Sequence, residues 1–564
     1  MTTSSSRGWE RWGIWAVLTA AAAMRAVYLL DYRAHSIFWD AMLLDAEVYD
    51  EWARSIAAGD WVGGTQVYTL APLYPYVLAV LYALAGPSYP LVYVLQAGLG
   101  LVNIWLIHAI GRQVFGRATA LIAACMAALY GSFMFMESKL MGTTAALTLG
   151  LALTRLLLAA ADRPALWRWG ACGALLGFTA LLRPETLLAV PLVAWWIHHV
   201  SAGPRARAGR ASAAAATPAG RSPASRWMAA GVFAVMVGVP ILPVALRNCI
   251  VSGDWSPSNL ISSQAGITFY QSNNPRARGL YYFLNREGFS GNPKTQAREE
   301  QTLAEKEVGR PLKRSEVTRY WTGRGLSWIV SDPGGFLLLE GRKLIRFFGT
   351  YEYSTEYIFH AERQAVLTLW LGWLPFAAIS SLAVVGVLYV GKAGWKPPVL
   401  LLALFVVSNL LVVLAFYVSS RYRMPSAPAL ILFAAFGLER IVAGLRSRLA
   451  SARAEGWIYA GMALVLFAVF HVQVDASSRI QEGNVHYNAG VLHSNRKQFE
   501  ASIEEYRLAL EVDAKNWRAW HNLGNSYAAL NRRDDAVAAY REALRFNPGM
   551  EAAERGLRAL GAQP

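Results

Sequence analysis

Apolar runs of about 20 residues recur along this chain, and each is long enough to cross the hydrocarbon core of a bilayer as a helix. The first run, 12–30, follows Arg7 and Arg11. A signal peptide would have a shorter apolar core ending at a small-residue cleavage site; this run is long enough to span, so it reads as an uncleaved anchor. Ten further runs follow, at 89–111, 118–135, 140–160, 169–182, 186–199, 227–247, 366–390, 397–417, 424–441 and 457–474. The stretch 70–86 is also apolar but short, and it holds Pro72, Pro75 and Gly86; it is expected to lie on one face of the membrane or to re-enter it. The expected fold class is therefore all-α: a polytopic membrane protein of about eleven spans.

Composition agrees. Hydrophobic residues make up 55% and charged residues 16% of 564, against about 25% charged in soluble domains. The net charge of +16 would suit nucleic acid or an anionic membrane surface. Much of the excess lies in short Arg-rich segments between apolar runs, which points to membrane orientation rather than to a nucleic-acid partner. Cys125, Cys172 and Cys249 make no disulfide framework.

Lys and Arg in short loops mark the cytoplasmic side. With the N-terminus inside, Arg112, Arg117, Arg163, Arg168, Lys392, Lys396, Arg446, Arg448 and Arg453 all fall inside. So does the segment 201–226, whose Ala, Gly, Ser, Pro and Arg content reads as a disordered linker. The outside then holds the loop 31–88, the turns at Glu137 and at Arg183–Glu185, the segment 248–365, the turn 418–423 and the C-terminal tail. The expected location is a plasma (inner) membrane, with the tail periplasmic or extracellular.

The tail contains a repeat. HYNAGVLHSNRKQFEASIEEYRLALEVDAKN aligns with WHNLGNSYAALNRRDDAVAAYREALRFNPGM at a spacing of 34 residues. Asn488 and Gly490 match Asn522 and Gly524, and Tyr506 matches Tyr540. That period, with small residues where helices cross, is the tetratricopeptide signature, and 551–561 would supply a capping helix. Two domains are expected: a membrane domain over 1–475 and a repeat domain over 480–564, the latter suited to a protein partner.

Chemistry concentrates on the outer side. In LLDAEVYDEWARSIAAGDW, Asp45, Tyr49, Trp52 and Ile56 recur at helical spacing, while the other acids, Asp40, Glu47, Asp50 and Glu51, turn toward solvent. Asp45 either caps the helix or works as an acid–base group. Glu137 and Lys139 sit where one span ends and the next begins, a place where ionisable groups are functional candidates or ordinary interfacial residues. Arg183, Arg247, Arg421 and Arg423 lie at the same depth against the positive-inside trend. Guanidinium pairs bidentately with phosphate, which favours an anionic headgroup; snorkelling is the alternative for at least one of them. The chain has no Walker sequence, Rossmann GxGxxG, HExxH or paired CxxC, which argues against a nucleotide-using cytoplasmic enzyme. A transporter would show repeated spans, and none is evident.

Taken in order, these motifs resemble the GT-C class of membrane glycosyltransferases, in particular the protein O-mannosyltransferase and aminoarabinose transferase superfamily. DAEVYDEWARSIAAGDW, APLYPYVLAVLYALAG, FMESKLM, LLRPETLLAVP, LRNCIVSGDW with GITFYQSNNPRARGLYY, and SRYRMPSAPAL carry the resemblance across 12–440. It implies a sugar donor linked to a polyprenyl phosphate in the bilayer, an acceptor on the outer face, and inversion at the anomeric carbon. Asp45 would be the general base, with Glu137 as a second catalytic candidate. Glu47, Tyr49, Lys139, Arg183, Arg247, Arg421 and Arg423 would bind substrate. Relatives often have two adjacent acids in the first loop, whereas here Ala46 separates Asp45 from Glu47. The resemblance leaves the use of a divalent cation open and requires no other cofactor. Two other classes stay in view: a membrane scaffold that only presents the repeats, and a lipid or polysaccharide transporter or polymerase.

Overall fold

The computed structural model describes residues 6–201, 223–282, 284, 289, 293–354, 356–472 and 476–563. The linker expected at 201–226 falls for the most part outside them. Among the described residues the regular structure is helical, with one isolated bridge between Tyr130 and Trp373. In chain order the helices are α1 (Ser6–His35), α2 (Asp45–Ala57), α3 (Leu73–Ala85), α4 (Tyr89–Val114), α5 (Arg117–Leu129), α6 (Gly131–Glu137), α7 (Thr143–Asp162), α8 (Leu166–Leu182), α9 (Ala189–Val200) and α10 (Pro223–Ser252). Then come α11 (Ala265–Ser272), α12 (Pro293–Val308), α13 (Arg314–Ser331), α14 (Pro333–Phe348), α15 (Phe359–Ala365), α16 (Phe376–Ala393), α17 (Pro397–Ala415), α18 (Ser420–Arg423), α19 (Ala427–Leu445) and α20 (Ala450–His471). The tail adds α21 (Ala476–Asn495), α22 (Phe499–Val512), α23 (Trp517–Ala529), α24 (Arg533–Phe546) and α25 (Glu551–Ala559).

The chain divides into two compact units. The first comprises Met1–Leu29, Leu44–Thr350 and Thr368–Val472. Eight of the helices among the described residues are long and apolar enough to cross a membrane, not the eleven expected. The run 118–135 is broken at Tyr130 into α5 and α6, the run 169–182 makes a helix of 17 residues, and the run 186–199 makes one of 12. The span expected to begin at 366 begins at Phe376. The doubtful stretch 70–86 forms α3, whose 13 residues reach only about 20 Å, short of the hydrocarbon thickness.

Without a hydrophobic drive between helices in lipid, close packing needs small residues at the crossings. At Gly177 of α8 a Cβ would stand 2.3 Å from the carbonyl oxygen of Val237 in α10, and at Gly386 of α16 it would stand 2.0 Å from that of Phe433 in α19. These two pairs, α8 with α10 and α16 with α19, are among the most extensively packed in the unit.

The second unit comprises Leu30–Leu43, Tyr351–Leu367 and Gln473–Pro564. Its helices α21–α25 are the expected repeats. Gly490 faces the ring of Tyr506, and 34 residues on Gly524 faces the ring of Tyr540; in both places a Cβ would come within 2.7 Å of the ring. The core of the repeats runs from Ile503 and Tyr506 through Leu523 and Tyr540 to Leu557. The boundary expected at 475–480 omits two segments that cluster with the repeats. The Tyr357 hydroxyl accepts from the Leu43 amide at 3.0 Å, the Asn488 amide group reaches the Glu356 carbonyl at 3.5 Å, and Arg496 pairs with Asp40.

Candidate active site

Asp45 is the first residue of α2. The residue before it, Leu44, has φ +48°, a conformation that costs a residue with a Cβ on the order of 1–3 kcal/mol and that clusters at functional sites. The Asp45 carboxylate accepts a hydrogen bond from Arg421 Nη1 at 2.9 Å, across 376 positions of sequence. Both side chains keep about a fifth of their surface exposed, 18% for Asp45 and 20% for Arg421, so an incoming molecule can reach them.

Arg421 belongs to the short helix α18, whose start is capped by the Ser419 hydroxyl accepting from the Tyr422 amide. Tyr422 then stands between two guanidinium groups. Arg421 lies 5.8 Å from its ring centre and Arg183 lies 4.9 Å from it. Arg183 in turn donates to Glu185 at 2.5 Å. Arg183 and Glu185 stand in the wall of a cleft that is otherwise mostly apolar, bounded by Leu147 and Leu151 of α7, Leu176 of α8, Val412 of α17 and Leu432 of α19. A continuous line of contacts therefore leads from Asp45 through Arg421, Tyr422 and Arg183 into a groove between apolar helices.

The other sequence candidates are placed differently. Arg247 donates to the carbonyls of Val62, Gly63, Gly64 and Gln66 and lies 3.9 Å over the Tyr68 ring, so its guanidinium shapes the first loop and is not available to a phosphate. Arg423 is buried, donates to the carbonyls of Phe347 and Gly349, and stacks 4.0 Å over Phe376. Its bonds hold the turn after α14.

Glu137 is 3% exposed, and both its oxygens are taken by Arg25, at 2.7 and 2.8 Å. Lys139 is buried with its ammonium 4.6 Å from the Phe135 ring. Gln96 donates to the carbonyls of Glu137 and Lys139, and Tyr28 bonds to Ser138 at 2.7 Å, so the whole turn is a buried polar knot. Tyr49 is buried edge-on against Tyr74, 5.5 Å between ring centres.

Glu47 and Glu51 share Lys294 of α12, at 2.7 and 2.8 Å. Partial burial pulls the Lys294 ammonium down, but those two carboxylates hold it above the ordinary lysine value. Asp50 does not face solvent as expected. It is buried and accepts from Tyr82 at 2.7 Å, Tyr89 at 2.8 Å and Arg54 at 2.9 Å. Nearby, in the segment 248–365, burial lowers the Arg314 guanidinium to about 10 despite its ion pair with Glu300.

Three functional-looking residues were missed from the sequence. Arg25 carried a signal, an arginine inside an apolar run, which needs a buried partner. Lys294 and Tyr422 carried none, because their roles depend on segments far away in sequence. Among the described residues no group of three or more His, Cys, Asp or Glu stands ready for a metal ion.

Residues 69–208 match the family model described as dolichyl-phosphate-mannose-protein mannosyltransferase. Residues 483–516 and 517–550 each match a tetratricopeptide repeat. Among curated proteins, the peroxisomal targeting signal receptor of Kluyveromyces lactis is 34% identical over 73 residues, 13% of either chain. Among solved structures, the oligosaccharyltransferase of Archaeoglobus fulgidus in the apo form is similar at a TM-score of 0.46 and 14% identity, over 82% of this chain and 56% of that one. ArnT from Cupriavidus metallidurans bound to undecaprenyl phosphate is similar at a TM-score of 0.41 and 12% identity, over 98% of this chain and 90% of that one. The chain thus spans little more than half the length of the archaeal protein and a small part of the curated relative.

Proposed function

We propose that this chain, a membrane glycosyltransferase of the GT-C class with C-terminal tetratricopeptide repeats, moves a sugar from a polyprenyl-phosphate donor to an acceptor with Asp45 as general base. The observation that carries the reading is the reachable pair of Asp45 with Arg421 at 2.9 Å. The donor's phosphate would compete with Asp45 for the guanidinium, since phosphate takes arginine in a fork geometry. Its first prenyl units would enter the apolar cleft beside Arg183. Once Arg421 turns to the phosphate, the Asp45 carboxylate is left to accept the proton of the acceptor's hydroxyl or amine.

The acceptor atom then attacks the anomeric carbon from the face opposite the phosphate. The bond from that carbon to the phosphate oxygen breaks, the electron pair leaves with the polyprenyl phosphate, and the configuration inverts. Arg421 stabilises the charge growing on the leaving oxygen, with Arg183 behind Tyr422 as a second cation. The Lys and Arg pattern supports an N-terminus in the cytoplasm, which puts this chemistry and the repeats on the periplasmic face.

Glu137 fits this scheme as a positioning group, because Arg25 occupies both its oxygens. The test is release of polyprenyl phosphate from labelled lipid-linked sugars extracted from native membranes, catalysed by the purified chain. Asp45→Asn is expected to lower the rate by about 100-fold to 10,000-fold. Glu47→Gln, on the Lys294 side of α2, is expected to retain most activity. Near-wild-type turnover by Asp45→Asn with a dead Glu47→Gln would move the base to Glu47.

A further inference from the structure

The far end of α19 carries a second feature with no part in this chemistry. Arg421 lies just before α19 and Arg440 near its end, about 28 Å apart at 1.5 Å per residue, roughly the thickness of the hydrocarbon core. Around Arg440 the last turns of α16 and α19 and the first turns of α20 leave a cleft of about 520 Å³. Its polar wall holds Lys392, Arg440, Ser447 and Glu455, and its apolar wall holds Tyr389 and Phe436. Such a volume suits a small-molecule headgroup.

The charges in the cleft are unequal. Glu455, the acid in the wall, is taken up by Lys392 at 2.9 Å, and Lys392 also lies 5.0 Å from the Tyr459 ring. Among the described residues Arg440 has no hydrogen-bond or ion-pair partner; its guanidinium rests 5.6 Å from the Tyr389 ring and is exposed. The neighbouring Glu439 is engaged by the Thr119 hydroxyl. Arg446 and Arg448 add positive charge on the loop that closes the cleft, and Arg453, in the first turn of α20, fixes that loop by donating to the Ser447 carbonyl. The result is an uncompensated fork of donors beside an apolar wall, at the end of a membrane-length helix.

We propose that this cleft binds the phosphate of an anionic phospholipid, on the membrane face opposite the Asp45 site. Guanidinium and ammonium groups take the phosphodiester, the Ser447 hydroxyl offers a further donor, and the acyl chains run along the apolar wall between α16 and α20. Basic pockets between spans recognise headgroups in this way, and phosphatidylcholine, whose charge is neutralised by its own ammonium, competes weakly.

The test is native mass spectrometry of the full chain, released from micelles containing dioleoyl phosphatidylglycerol or dioleoyl phosphatidylcholine, with inorganic phosphate as a separate arm. One phosphatidylglycerol per chain is expected to be retained, and phosphatidylcholine is not. Arg440→Gln, exposed and so harmless to folding, is expected to lower that occupancy about tenfold, and Arg440→Lys to restore part of it. Equal retention of phosphatidylglycerol by wild type and Arg440→Gln overturns the proposal. So does binding of inorganic phosphate without lipid, which would make this a soluble-anion site.

Discussion

Arg247, Arg421 and Arg423 share a residue type and a depth, yet the structure gives them different work. Carbonyl oxygens of the backbone take up the guanidinium of Arg247 and the Nη1 of Arg423, whereas Arg421 meets a reachable carboxylate. Two substitutions separate these roles. Arg423→Gln removes a buried cation from the carbonyls of Phe347 and Gly349, so it should destabilise the membrane unit by about 1–3 kcal/mol in a thermal melt, with activity per folded molecule largely kept. Arg421→Gln should leave the melt nearly unchanged and lower turnover roughly 100-fold or more, the loss typical of one donor to a developing charge. The reverse pattern would assign the leaving phosphate to Arg423. Residue type and membrane depth were legible in the sequence; partner choice was not. A carbonyl that captures an arginine belongs to a loop whose conformation no local pattern encodes. Arg25 is the instructive exception, because a guanidinium inside an apolar run requires a counter-charge, and Glu137, an acid at the end of another apolar run, supplies it.

Two of the runs that differ from the sequence expectation, 118–135 and 366–390, do so for one shared reason. The chain leaves helical geometry at Tyr130, and the polar groups this frees are met by the residues before α16. Tyr130 bridges Trp373, and the Leu374 amide donates to the Leu129 carbonyl at 3.1 Å. Non-helical backbone at membrane depth survives only where other protein groups satisfy it. Hydropathy read 366–375 as part of a span because Leu367, Leu369, Trp370 and Leu371 are apolar, but the helix starts only at Phe376, and residues 372–374 meet the α5–α6 break. The approach is close enough that a Cβ at Gly372 would stand 2.3 Å from the Gly131 Cα, a backbone clash that no rotamer can relieve. Gly372→Ala should therefore cost about 1–3 kcal/mol in a detergent melt. Gly238→Ala, in α10 with open space around it, should be neutral or slightly stabilising, since Ala is the better helix former. If both variants melt alike, the pairing of the two breaks is not what holds them.

The repeats were legible because a 34-residue period survives in Gly490 with Tyr506 and Gly524 with Tyr540, where ring and glycine face each other. The two segments that cluster with them have no period. The segment 351–367 is rich in aromatic and acidic residues and reads as an ordinary loop, yet Tyr353, Tyr357, Ile358 and Phe359 are all buried in the unit that contains the repeats. A boundary drawn from the repeat alone therefore divides a compact unit. This alters what truncation should do. Removing 480–564 leaves the membrane helices with their own packing, so their cooperative melt in mild detergent should persist. The segment 351–367, however, loses the Asn488 contact at the Glu356 carbonyl and its place in the compact unit that the repeats complete. Trypsin should then cut after Arg363 in the truncated chain much faster than in the full chain, with the fragment masses locating the cut. Opening of a protected site accelerates cleavage in proportion to its open population, so a loss of about 1.4 kcal/mol in local stability appears as a tenfold faster cut. Equal cleavage rates in the two chains would mean that the repeats do not hold this segment, and the second unit would shrink to α21–α25.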